Sequence, residues 1–208
     1  MATATSREPI LAVLALAVAA IVAGCGASST ATSPATHVAA AAARSATAPS
    51  GFAWLRPAAA PTGWPAARIP AGAVMPYPVG WRRIHGDAGT ATAVLRDAEN
   101  HLLGYLNLTP RQGAEALGTW AAFRTAHNAE EGDRALTTFA AATGLRFRTG
   151  RGSCVRDGYT TSTGHRYIEL ACLVQGPRAA SVIVGAAPPA TWAGTAPLIE
   201  RAISALTT

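Results

Sequence analysis

The chain has 208 residues, of which 50% are apolar and 6% aromatic, so there is room for one folded domain with a modest core and not for two. All 17 basic residues are arginines, against 11 acidic residues, and the formal net charge is +6. GC-rich codon usage explains such a composition; the alternative explanation is attraction to anionic lipids or wall polymers. Because the amino terminus predicts export, we expect no nucleic acid partner.

The first 24 residues have the pattern of a bacterial signal peptide. Arg7 lies ahead of an uninterrupted apolar run from Ile10 to Val22, which is the length of a signal-peptide core. A helix of that length, at about 1.5 Å per residue, is too short for a hydrocarbon core of about 30 Å. This argues against an uncleaved transmembrane helix. We therefore predict export, with residues 1–24 as the signal peptide.

The apolar run ends in Val22-Ala23-Gly24-Cys25, which resembles the lipobox of bacterial lipoproteins. The small Ala23 and Gly24 suit a peptidase that cuts ahead of a modified cysteine. The resemblance implies that Cys25 carries a diacylglyceryl group on its sulfur and an acyl chain, such as palmitate, on its amino group. Several chains, at about 0.8 kcal/mol per buried CH₂, anchor a protein durably. We predict attachment to the extracytoplasmic face of the cell membrane.

The alternative for Cys25 is an ordinary secretory signal peptide that is cut nearby. Cys25 would then be a plain residue and would leave an odd thiol in an oxidising compartment, because the chain has three cysteines. Cysteine counting therefore favours the lipobox.

Two segments of biased composition follow. Residues 25–51 are almost wholly Ala, Ser, Thr, Pro and Gly, which predicts a flexible tether. Residues 52–80 interleave six prolines with aromatic residues, which favours an extended backbone that is neither helix nor strand. Two alternatives stay open for this second segment: it packs along the domain, or only the chain from Ala71 onward is ordered.

Residues 81–208 have the pattern of an α+β domain. The run 135–143 is rich in Ala and β-branched residues and fits either a helix or a strand. We predict an antiparallel β-sheet of five to six strands packed with two or three helices. The helices are expected at residues 115–127 and at the carboxy terminus, with the apolar stripe Leu198, Ile199, Ala202, Ile203 and Leu206. The strands are expected at residues 81–84, 90–96, 101–108, 147–160, 165–175 and 180–186.

The last two cysteines test the hairpin expected around residues 161–164. A turn there pairs residues whose numbers sum to 325 or 326, which places Cys154 opposite Cys172 and Tyr159 opposite Tyr167. With Cys25 lipidated, Cys154 and Cys172 are expected to form a structural disulfide.

The element order, this cysteine hairpin and the opening Pro78-Val79-Gly80-Trp81 resemble the PsbP-like domains. Lipid-anchored actinobacterial proteins include members of this general build. The resemblance covers roughly residues 71–208 and implies a small α/β sandwich. It also implies an accessory or binding role without catalytic residues of its own, although a fold does not by itself define a function.

Candidate catalytic residues are few. Ser153, Asp157 and His165 lie near one hairpin, but Ser153 has no GxSxG surroundings. The three remaining central histidines, His85, His101 and His127, have no partners at metal-ligand spacing. We therefore predict no catalytic set, no metal and no cofactor. The alternative is an envelope hydrolase, or a carrier of a small molecule or lipid, with a pocket that uses His165 or Asp157.

A cluster of arginines is the remaining feature, and strand alternation places two of them on one side. They are either an anion-binding edge, for lipid headgroups, a wall polymer or an acidic envelope protein, or a solvated face. The sequence as a whole predicts a non-enzymatic, lipid-anchored binding module of the cell envelope. The cluster comprises Arg146, Arg148, Arg151 and Arg156, with Arg82 and Arg83 as further candidates.

Overall fold

The computed structural model describes residues 49–208. The predicted signal peptide, Cys25 and nearly all of the predicted tether lie outside the described residues. Neither of the two α-helices within 49–208 is long and apolar enough to cross a bilayer. In chain order the elements are β1 (Ala66–Arg68), β2 (Val74–Pro76), β3 (Arg82–Ile84), β4 (Ala91–Arg96), β5 (Leu102–Pro110), α1 (Trp120–Glu130), β6 (Arg134–Arg146), β7 (Arg151–Thr160), β8 (Arg166–Gln175), β9 (Ala180–Ala187) and α2 (Pro189–Ala205).

Seven strands form one antiparallel sheet in the order β3-β4-β5-β9-β8-β7-β6, and β1 pairs with β2 in a second, two-stranded sheet. The α+β class with two helices is confirmed, but the count of five to six strands is wrong. The additional strand of the large sheet is β6, which covers the ambiguous run 135–143. It is an edge strand with mostly exposed side chains, so no buried face imposes an alternating pattern on its sequence.

One face of the large sheet carries the main core. Ile199 and Ile203 of α2 pack on it together with Leu106 and Ile183. The close approach of α2 requires a glycine in β9, because a Cβ at Gly185 would overlap the side chain of Ile199. The apolar stripe predicted for the carboxy-terminal helix therefore faces the sheet.

The proline-rich segment 52–80 packs against this same core. Phe52 is fully buried and Met75 is too, and the amide of Ala58 donates to the carbonyl of Ser204 at 3.3 Å. The sequence favours neither helix nor strand here, whereas the structure has the short β1–β2 pair. Three-residue strands between prolines are too short to show an alternating pattern, which explains the difference.

The opposite face of the sheet carries α1. Trp120, at the start of the helix, is 2% exposed and packs with Val155 and Leu173; its indole Nε1 donates to the carbonyl of Ala171 at 3.0 Å. A 3₁₀ turn precedes it, so the α-helix begins five residues later than position 115. This α1 face includes the odd-numbered residues of β7 and β8, because successive side chains of a strand point to opposite faces.

The β7–β8 hairpin has the predicted register. Cys154 lies opposite Cys172 and Tyr159 opposite Tyr167. The two cysteines form a disulfide with a Cα–Cα distance of 4.1 Å, and both are buried in the core beneath α2. The bridge therefore links the neighbouring strands β7 and β8 on the face away from α1.

Replacing both Cys154 and Cys172 by alanine is expected to lower the free energy of unfolding by about 3 kcal/mol, since the bridge reduces the entropy of the unfolded chain. Denaturation in urea of both proteins measures the loss. Wild type unfolded under reducing conditions is the control and should approach the variant. If the urea midpoint of wild type were the same with and without reductant, the bridge would contribute nothing to stability.

Candidate functional site

A cleft of about 470 Å³ opens between α1 and the sheet face formed by β5 and β9. Alternation along β5 turns Tyr105, Asn107 and Thr109 towards it, while Leu106 and Leu108 point into the core. The cleft exists because α1 packs over β6 and β7 and leaves the β5 side of this face open. Its lining comprises Asp87, Tyr105, Asn107, Thr109, Gln112, Ala114, Glu115, Trp120, Phe123, Arg124, His127, Glu131, Val182 and Val184.

An ion pair between α1 and β8 adjoins the cleft, whose lining includes its arginine, Arg124. Arg124 Nε donates to Glu169 Oε1 at 2.6 Å, and Arg124 Nη2 donates to Glu169 Oε2 at 2.8 Å. The side chain of Arg124 is 13% exposed and that of Glu169 is fully buried. Tyr159 donates its hydroxyl to the same Oε2 at 3.2 Å. This two-point geometry fixes the guanidinium against the sheet.

Arg124 and the two neighbouring tyrosines remain in one charge state over the usual pH range. Burial alone lowers the pKa of Arg124, but attraction to Glu169 outweighs burial and raises it overall. Burial, with repulsion from Glu169, raises the pKa of Tyr105. Burial is also the largest cause of the raised pKa of Tyr159. The arginine therefore stays charged and both phenols stay neutral.

Asp157 lies directly opposite Glu169 in the β7–β8 register. It is 1% exposed, and within residues 49–208 neither carboxylate oxygen has a hydrogen-bond partner. Burial raises its pKa to about 7; repulsion from Glu169 adds to this and attraction to Arg124 opposes it. Two buried carboxyl groups thus lie near one arginine, which hydrogen-bonds to Glu169 but not to Asp157, and burial leaves Asp157 with a raised pKa.

The three candidate catalytic residues do not come together. Ser153 is buried and donates its hydroxyl to the carbonyl of Leu117 at 2.6 Å. Asp157 is four residues further along the same strand face, about 13 Å away at about 3.3 Å per residue. His165 is exposed at the β7–β8 turn. No hydrogen bond among the described residues joins any two of the three, and none of them lines the cleft.

The structure separates the candidate arginines into groups. Arg146 and Arg151 are exposed and lie opposite each other at the β6–β7 turn, with Arg148 between them in the chain. Arg156 is half-buried, and its charge opposes the burial that raises the pKa of Glu200 on α2. The strand β3, which carries Arg82 and Arg83, lies at the opposite edge of the sheet from β6. An anion site at the β6–β7 turn remains a prediction that rests on three arginines.

His101 has neighbours that the sequence spacing did not suggest. Asp97, Glu99 and His101 at the β4–β5 turn each offer an atom within 4.8 Å of the others. His101 Nδ1 lies 3.0 Å from Asp97 Oδ2, and the amide of His101 donates to Asp97 Oδ1 at 2.7 Å. The expectation that His101 has no partner at metal-ligand spacing is therefore wrong. The tight β4–β5 turn brings two carboxylates beside its imidazole, and the spacing in the sequence did not indicate this. Asp97 and His101 hold the turn by hydrogen bonds to each other, and we assign no metal to the three residues.

Sequence reasoning missed the cleft and its ion pair. Arg124 shares a helical spacing with Trp120, and Glu169 interrupts the otherwise apolar run 168–174 of strand β8. A charged residue at a core-facing position needs a partner of opposite charge. That requirement was the available signal for the Arg124–Glu169 pair.

No protein-family model and no curated protein sequence matches the chain. Solved structures to which the chain is similar include the cyanobacterial PsbP protein CyanoP of Synechocystis sp. PCC 6803, which is 15% identical over 69% of this chain and 91% of that one, with a TM-score of 0.47. LpqN, involved in cell envelope biogenesis of Mycobacterium tuberculosis, is 14% identical over 70% and 86% of the two chains, with a TM-score of 0.45. Protein PA94 of Pseudomonas aeruginosa, of unknown function, is 11% identical over 70% and 96%, with a TM-score of 0.41. Scores in this range assign no function to the chain.

Proposed function

We propose that this chain is a lipid-anchored, extracytoplasmic lipoprotein of the cell envelope and that its PsbP-like domain is a non-enzymatic binding module. The observation that carries the binding role is the cleft beside α1, whose shape is held by the buried Arg124–Glu169 pair. Concave sites with a few fixed polar groups among aromatic side chains are typical of ligand binding. The ligand enters between α1 and β5.

The anchor is supported by the sequence Val22-Ala23-Gly24-Cys25 after an apolar run. In this proposal Cys25 holds the lipid and residues 26–51 form the tether. The domain then meets its ligand close to the membrane surface. The hydrolase alternative requires a pocket lined by Asp157 or His165, and the cleft is lined by neither.

Replacing Cys25 by alanine is expected to abolish lipidation and release the protein from the membrane fraction. Intact-mass analysis of wild type should show a mature chain starting at Cys25 with the added mass of a diacylglyceryl group. In detergent phase partition the lipidated wild type should enter the detergent phase, and the unlipidated variant should stay in the aqueous phase. Cys154→Ala with Cys172→Ala is the matched control and should remain lipidated. An unmodified, released wild-type protein would overturn the anchor.

A further inference from the structure

The cleft is acidic although the protein is basic. The chain has 17 arginines and a formal net charge of +6. The cleft lining includes three carboxylates, those of Asp87, Glu115 and Glu131, but only one arginine, Arg124; Glu131 Oε1 also lies 3.2 Å from Nε2 of His127 in the same lining. Glu169 already neutralises that arginine through two hydrogen bonds. The local potential therefore favours a positively charged ligand.

One of these carboxylates is held in place and nearly buried. Glu115 is 8% exposed, and its Oε2 accepts the backbone amide of Gln112 at 2.9 Å. A buried carboxylate with one hydrogen bond retains capacity for further donors, since an ionised carboxylate accepts several. A ligand that donates from a charged nitrogen would supply them.

Aromatic rings form a second wall of the cleft. The rings of Trp120 and Phe123 are stacked with centroids 6.0 Å apart, and those of Phe123 and His127 with centroids 6.1 Å apart. The three residues are three and four positions apart on α1, so their side chains share one face of the helix. The face of an aromatic ring attracts a cation, and its surface packs against an alkyl chain.

The arrangement suits an organic cation better than a bare metal ion. Within residues 49–208 the only three carboxylate or histidine groups that converge within 4.8 Å are those of the β4–β5 turn. The carboxylates of the cleft are therefore spread too widely to coordinate one small ion together. A cation that carries several N–H donors on an extended stem can reach more than one of them.

From the charge, the held carboxylate and the aromatic wall we infer that the cleft binds an alkylammonium or alkylguanidinium group, with the nitrogen towards Glu115 and the stem along Phe123. This inference rests on the proposed function, because it assigns a ligand class to the same cleft. Such a group can come from a free amine or from a basic side chain of a peptide. The recognition chemistry is the same for both sources.

The test is titration calorimetry with the mature lipidated chain in phosphatidylcholine nanodiscs. The cationic probes are agmatine, as a free amine, and a blocked Gly-Arg-Gly peptide; butylurea is the neutral probe and hexanoate the anionic probe. We expect agmatine or the peptide to bind, with affinity that falls severalfold as salt increases. The probe that binds more tightly identifies the source of the cation.

Two cleft variants separate the binding role from folding. Glu115→Gln is expected to weaken cation binding about tenfold, because a held carboxylate loses its charge. Glu131→Gln changes an exposed side chain and is expected to weaken it about threefold. Glu99→Gln, exposed at the β4–β5 turn, is the matched control and should bind like wild type. If butylurea or hexanoate binds while both cations fail, the cation inference is wrong and the proposed cleft stands; if no probe binds, both are overturned.

Discussion

Replacing Arg124 by methionine is expected to lower the free energy of unfolding by about 3–5 kcal/mol at pH 7.5, which is the size typical of breaking a buried ion pair from one side. Glu169 is fully buried and receives two hydrogen bonds from Arg124. Without the arginine it keeps only the hydroxyl of Tyr159 and faces Asp157 across the two strands. An uncompensated negative charge would remain inside the domain.

Urea denaturation at pH 7.5 and pH 5 measures this effect. The loss should be smaller at pH 5, because removing Arg124 also removes the attraction that opposes the raised pKa of Asp157, so the variant loses more stability than wild type between pH 5 and pH 7.5. The double variant Arg124→Met with Glu169→Leu removes both charges and should recover most of the stability. Arg83→Met, at an exposed position on β3, is the control and should change stability little. Equal losses for the single and double variants would show that packing, not charge, explains the effect.

The β7–β8 hairpin could be predicted from the sequence because its information is local. The polar turn, the alternation of apolar residues and the two cysteines all point to one register, and the structure has it. The edge strand β6 could not be predicted in the same way. Most of its side chains are exposed, so Ala and β-branched residues there carry no face-specific pattern.

The cleft could not be predicted because it depends on distant parts of the chain. Strand β9 lies between β5 and β8, and that position brings Val182 and Val184 beside Tyr105 in the cleft wall. Arg124 and Glu169 are 45 positions apart. Local periodicity assigns a residue to a helix or strand but does not say which elements become neighbours.

The carboxyl of Asp157 is expected to make the stability of the domain fall as pH rises towards neutrality. Burial, with repulsion from Glu169, raises its pKa to about 7 from an ordinary value of 3.8. Between these two values the native state holds a proton that the unfolded state has already lost, so the free energy of unfolding decreases as pH rises. The contribution is complete below about pH 4 and lost above about pH 7, and its size is on the order of 3 kcal/mol.

Replacing Asp157 by asparagine removes this titration while keeping the side-chain volume. The difference in free energy of unfolding between variant and wild type should therefore shift in favour of the variant by on the order of 3 kcal/mol from pH 4.5 to pH 8. Urea denaturation at four pH values measures it. Ser153→Ala, on the same strand and buried on the same face, is the matched control. It removes one hydrogen bond and should lower the free energy of unfolding by the same amount at every pH. Parallel profiles for wild type and Asp157→Asn would mean that the Asp157 carboxyl has the same pKa in the folded and unfolded chain, and Arg124 would then compensate both carboxylates.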